Sequence, residues 1–146
     1  MAYRNISAEV SNETVEQAVE GIDGLKQLLP FIINLTAKEK MRIPIMGDKS
    51  IPFVDKAYEV AIRNPELFPD VLDVEELSRD LALTKQLKRI LDVLKPFTEM
   101  VSDTYYAAGS EAFGAALAVY QIAKVGVKLG KPGCDSIVAE LSKRFV

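Results

Sequence analysis

Tyr105, Tyr106, Tyr120 and Glu111 carry most of the chemistry in the second half of the chain. Phenol rings with polar tips can line a pocket for a small apolar or aromatic ligand, and a carboxylate among apolar neighbours can orient it. Aromatic residues at helical spacing also serve as core with one wet edge, and that reading stays open beside the first. On a helical wheel Glu111 shares a strip with Ala118, Ile122 and Val125. A carboxylate covered in such a strip must find a partner, because uncompensated burial costs several kcal/mol. A structural ion pair or a functional acid would satisfy that need. In either case the expected partner is a basic side chain, a tyrosine hydroxyl or a helix N-terminus.

Much other chemistry is excluded. The chain has no histidine, which removes His-based triads, His general bases and His ligands to metal or haem. A single cysteine, Cys134, allows no internal disulfide and no Cys-based zinc site. Gly47-Asp48-Lys49-Ser50 is similar to the Gly-Lys-Ser end of a phosphate loop, but Asp48 splits the Gly-Lys pair and the upstream glycine is missing. It reads as a loop leading into a helix. Glu75, Glu76, Asp80 and Glu99 read as solvated faces or as partners of the helix dipole. Lys124, Lys128, Lys131, Lys143 and Arg144 make the C-terminal part mildly basic, without the aromatic interleaving of a nucleic-acid surface. With 18 basic and 21 acidic residues the net charge is −3, so no nucleic-acid partner is expected. No cofactor and no metal is expected, and the balance is against an enzyme.

The N-terminal residues carry no apolar signal-peptide core, and the longest weakly charged stretch, residues 112–123, is too short to span a bilayer. With a lone thiol, this points to a cytoplasmic protein without a membrane partner. Apolar residues make up 49% and charged residues 27%, a globular balance that excludes disorder.

The elements that must position these residues are helices. No segment alternates apolar and polar residues cleanly, and no Asn-Gly or Asp-Gly hairpin turn occurs. Ser11 is placed to cap a helix bearing Val15, Val19, Ile22, Leu25 and Leu29 on one face, with Pro30 as a kink and Phe31-Ile32-Ile33 as a continuation. Thr36-Ala37-Lys38-Glu39 fits a capping box, for a short helix ending before Pro44. Ser50 and Pro52 open a helix with Phe53, Ala57, Val60 and Ala61 inward, stopping at Asn64-Pro65. Residues 64–73, with Pro65 and Pro69, form a stiff connection. Asp73 caps the next helix, whose inward ladder is Leu77, Leu81, Thr84, Leu87, Leu91, Leu94, Thr98, Val101 and Tyr105. Pro96 should kink or end it. The pattern resumes to about Leu129, Gly130, Pro132 and Gly133 stop it, and a last helix covers about 135–144. The expected fold is a single all-α domain, 1–146, built as a bundle of four or five helices, with residues 1–10 as a disordered end.

Residues 102–130 form a helix that is apolar nearly all round. One broad face is small: Ala108, Ala112, Ala115, Ala116, Ala123, Gly126 and Gly130. A second strip carries Phe113, Leu117 and Tyr120. Such a helix is covered on more than one side, by its own bundle or by a second subunit. Phe113, Leu117 and Tyr120 are the candidate interface residues for a homodimer.

The order of motifs resembles an uncharacterised family of small bacterial all-helical proteins. The resemblance covers roughly residues 36–146 and runs through Thr36-Ala37-Lys38-Glu39, Met46-Gly47-Asp48-Lys49-Ser50, Phe53-Val54-Asp55-Lys56-Ala57 and Asn64-Pro65-Glu66-Leu67. It continues through Asp80-Leu81, Asp103-Thr104, Ala108-Gly109-Ser110-Glu111-Ala112, Ala116-Leu117-Ala118-Val119-Tyr120, Lys124 and the end of the chain from Leu141 to Phe145. It implies helical architecture and a bacterial source, and carries no activity or catalytic residue. The expected function is a non-enzymatic, self-associating structural or interaction module. The alternative is a binder of a small apolar or aromatic ligand between helices near Tyr105, Tyr106 and Glu111, with Tyr120 as a further contact.

Overall fold

The computed structural model describes residues 4–68 and 72–145. They form α1 (Asn12–Leu28), α2 (Ala37–Arg42), α3 (Ile51–Arg63), α4 (Val74–Lys128) and α5 (Cys134–Ser142), followed by a 3-10 turn at Lys143–Phe145. No strand occurs among the described residues, so the chain is all-α, with the number of helices expected. It divides into two units, one of residues 10–94 and one of residues 1–9 with 95–146.

In the unit of residues 10–94 the helix ends are built locally. The Ser11 hydroxyl accepts from the Thr14 amide at 3.1 Å and starts α1. The helix stops at Leu28 and does not continue through Phe31-Ile32-Ile33. Pro30 explains the stop: it disfavours the helical conformation at the preceding residue, and Leu29 has swung to φ −124°, ψ 64°. The Thr36 hydroxyl accepts from the Glu39 amide at 3.2 Å, and the Glu39 carboxylate accepts from the Thr36 amide at 2.8 Å, which completes the capping box of α2.

Ser50 precedes α3 but its side chain makes no capping bond. Its own amide donates to the Gly47 carbonyl at 2.9 Å in a turn. Pro52, in the first turn, brings no amide to be capped. The covered side of α3 is Val54, Tyr58 and Ala61, not the expected Phe53, Ala57 and Val60. Ala61 is 5% exposed and Phe53 74%. Both strips have helical spacing, so periodicity could not choose between them. The ion pair from Lys85 to Asp55, 2.7 Å, marks the side of α3 that meets α4. The Asn64 amide and side-chain nitrogen both donate to the Val60 carbonyl, at 3.2 and 2.9 Å, and close the helix before Pro65. Pro69 and the rest of residues 69–71, part of the expected stiff connection, lie outside the described residues.

Asp73 Oδ1 accepts from the Glu76 amide at 2.9 Å and starts α4. The expected ladder is covered at Leu77, Leu81, Thr84 and Leu87, with Leu81 only 7% exposed. From Leu91 onward the ladder fails: Leu91, Leu94, Val101 and Tyr105 are exposed. Pro96 lies inside α4 and does not end it. A proline in a helix removes one backbone bond, and the bonds on either side can carry the helix past it.

In the unit of residues 95–146, α4 ends in a Schellman motif. The Lys131 amide donates to the Gly126 carbonyl at 2.9 Å and the Gly130 amide to the Val127 carbonyl at 3.1 Å. Gly130 supplies the left-handed conformation this motif requires, at φ 70°. Gly133, at φ 83°, then starts α5. The turn lays Cys134 against Gly126 so closely that a methyl group on Gly126 would collide with the Cys134 Sγ. Of the expected small-residue face only Ala123 and Gly126 are buried; Ala108, Ala112, Ala115, Ala116 and Gly130 are exposed.

Two measurements check this packing. Gly126→Ala is expected to lower stability by about 1–3 kcal/mol through overpacking. In the Gly126→Ala/Cys134→Ala double variant most of that loss should return, because the clashing sulfur is gone. Urea unfolding of the four members of the cycle gives the coupling. Ala123→Leu should cost a similar ~1–3 kcal/mol, and Ala115→Leu, on the exposed side, should leave the melting temperature near that of the parent.

Candidate functional site

Phe113, Leu117 and Tyr120 follow one another at spacings of four and three, so they rise along one face of α4. The turn after α4 brings the end of the chain back to that face. Leu141, Arg144 and Phe145 meet Phe113, Ala116, Leu117 and Tyr120 around a shallow apolar hollow of about 100 Å³. The Tyr120 and Phe145 rings stack, with centroids 5.6 Å apart and planes 10° from parallel. Lys124 Nζ lies 4.3 Å from the Tyr120 ring centroid, and Arg144 Cζ lies 5.6 Å from the Phe145 centroid. Each such cation over a ring adds on the order of 0.5–1 kcal/mol at an exposed site. The result is an apolar groove with two cations beside its aromatic wall.

Leu141, Arg144 and Phe145 carry no sequence signal for this role. Their meeting with α4 depends on two left-handed glycines, Gly130 and Gly133, and no helical wheel shows it.

Tyr105, Tyr106 and Glu111 are arranged differently. The two tyrosines touch each other edge to face, with centroids 5.4 Å apart, and are 73% and 69% exposed. Tyr120 lies some fifteen residues further along α4, about 22 Å at the helical rise, so one small ligand cannot span the tyrosines.

Glu111 is half-buried, as its wheel position suggested, but its partner is none of those expected. Both carboxylate oxygens accept from the backbone amide of Ile6, at 3.0 and 3.3 Å. The bond ties the N-terminal segment to α4, so residue 6 is held where a disordered end was expected; residues 1–3 lie outside the described residues. Ile6, Asp103, Thr104 and Ala107 line a second hollow, of about 240 Å³. The next residue, Ser7, has φ 41°, in the left-handed region, which costs a non-glycine residue about 1–2 kcal/mol.

Ionisable groups elsewhere form solvated pairs. Glu76 accepts from the Arg79 guanidinium at 2.6 Å and holds its pKa above the ordinary value. Asp92 does the same for Lys88, at 2.9 Å, with Asp48 adding to the field. Exposed pairs of this kind contribute little to stability. Among the described residues no cluster of three or more Cys, Asp or Glu side chains could hold a metal ion, and no helix is long and apolar enough to cross a membrane.

No family model, curated protein or solved structure matches the chain. The family resemblance carried by the motifs receives no support from these comparisons. The functional reading therefore rests on the apolar side chains that α4 leaves exposed.

Phe145→Ala should leave α4 helical and loosen α5. Removing a stacked ring worth about 0.5–1.5 kcal/mol beyond its area should speed amide hydrogen exchange in α5 several-fold and leave exchange in α3 unchanged.

Proposed function

We propose that the chain is a non-enzymatic helical interaction module that self-associates as a homodimer, with Phe113, Leu117 and Tyr120 at the contact. The observation that carries the reading is the exposure of α4 beyond Lys95. On one side of α4 Phe97, Met100, Val119, Ile122 and Val125 are more than half exposed, and on the other side Phe113 and Leu117 are 50% and 36% exposed. Large apolar side chains left open to solvent in this number support an interaction surface on α4. A second copy offers the same strip, and a two-fold axis would place like on like.

A small-ligand site receives less support. The two hollows, about 100 and 240 Å³, are smaller than the roughly 300 Å³ at which ligand pockets begin. This reading sets the protein in the cytoplasm, where a lone thiol such as Cys134 stays reduced.

Sedimentation equilibrium and light scattering test the proposal. At micromolar concentration the parent should show twice the 16.1 kDa chain mass. Leu117→Asp and Phe113→Asp should each return it to a single chain with its helical circular dichroism intact. A parent that stays at the chain mass throughout would sink the proposal, and native mass spectra showing a co-purified small molecule on such a monomer would favour the ligand reading.

A further inference from the structure

α1 and the groove between α4 and the end of the chain are surfaces of opposite charge. Val15, Val19 and Ile22 rise along one face of α1 at spacings of four and three. All three are exposed, and no residue of α1 is buried. Glu16, Glu20 and Asp23 each follow one of them directly, so the carboxylates run along one flank of that ridge, about 100° round the helix. Phe113, Leu117 and Tyr120 repeat the same spacing on α4, so ridge and groove match in length. Lys124 and Arg144 stand over the aromatic rings of the groove. Lys128, Lys131 and Lys143 follow in the same part of the chain, against two carboxylates, Asp135 and Glu140. These charges are uncompensated on both surfaces. Among the described residues, Glu16 and Glu20 make no ion pair, and neither do the five cations; every ion pair lies between Asp23 and Asp92.

We propose that α1 of a second copy lies in this groove, its Val15–Ile22 ridge on Phe113, Leu117 and Tyr120 and its carboxylates toward Lys124 and Arg144. The proposal rests on the self-association reading above and names the surface that the second copy brings to those three residues. A two-fold axis repeats the contact with the roles exchanged. An amphipathic helix docks in a groove through apolar anchors at this spacing. Charge around the anchors then selects the partner: α1 brings carboxylates to Lys124 and Arg144, whereas two grooves face to face would set these cations against their own kind.

Charge reversal in the full chain tests the contact, with sedimentation reading the dimer and circular dichroism the helices. Glu16→Lys/Glu20→Lys alters only exposed residues of α1, and Lys124→Glu/Arg144→Glu alters only the groove. Each double variant should raise the dimer dissociation constant at least tenfold with parent-like helicity. Mixed in equal amounts, the two variants should form a heterodimer close to the parent in strength, because each α1 then meets a groove of opposite charge. Val19→Asp should weaken the dimer as strongly, and added salt should weaken the parent, since the contact joins opposite charges. Parent-like dimer constants in both Glu16→Lys/Glu20→Lys and Val19→Asp would overturn the docking of α1 and leave self-association standing. A dimer that tightens with salt would overturn it as well. A monomeric parent would overturn the self-association reading and this contact together, and would leave the groove to an acidic helix of another protein.

Discussion

Gly126 has no side chain, and the direction of everything after α4 depends on that. Its carbonyl accepts the Lys131 amide, and its bare Cα leaves room for Cys134. With both in place the chain reverses within a few residues, and Phe145 arrives against Tyr120. A β-carbon at residue 126 would run into the Cys134 side chain, and one of the two would have to give way. The close approach of Cys134 to α4 thus depends on an atom that is missing from one position. The bonds of the Schellman motif hold the reversal, and Gly130 makes the motif possible.

Elsewhere the fold is assembled from short-range bonds. Ser11, Thr36 and Asp73 each accept the amide three residues on, and each starts a helix. These starts were legible in the sequence because donor and acceptor lie within one turn. The Asn64 stop and the Gly130 reversal were legible for the same reason. Which side of a helix is covered was less so. In α3 two apolar strips compete, and Asp55, a polar residue meeting Lys85 from another helix, marks the one that is used. The ladder of α4 reads correctly as far as Leu87 and then ceases to be covered, although its spacing does not change. Periodicity reports that a face exists; it does not report what lies against it.

The candidate site divides along the same line. Phe113, Leu117 and Tyr120 came together because their spacing alone puts them on one face. The opposite wall, Leu141, Arg144 and Phe145, was hidden because it depends on φ angles at two glycines. Glu111 was legible as a carboxylate that needs a partner, since it falls among apolar residues. Its partner was not legible: a backbone amide has no side-chain signature, and Ile6 is far from it in sequence.

The reversal at Gly126 also bears on how the chain reaches its structure. Its defining contacts join residues close together in sequence, so closing the loop costs little entropy. Helices pairing across such short loops form early, because folding speed rises as contacts become more local. The bond between Ile6 and Glu111 closes one of the longest loops in the molecule and must wait until α4 exists. The two ends of the chain therefore join α4 at different times: the C-terminal hairpin as soon as its residues are available, the N-terminal segment last.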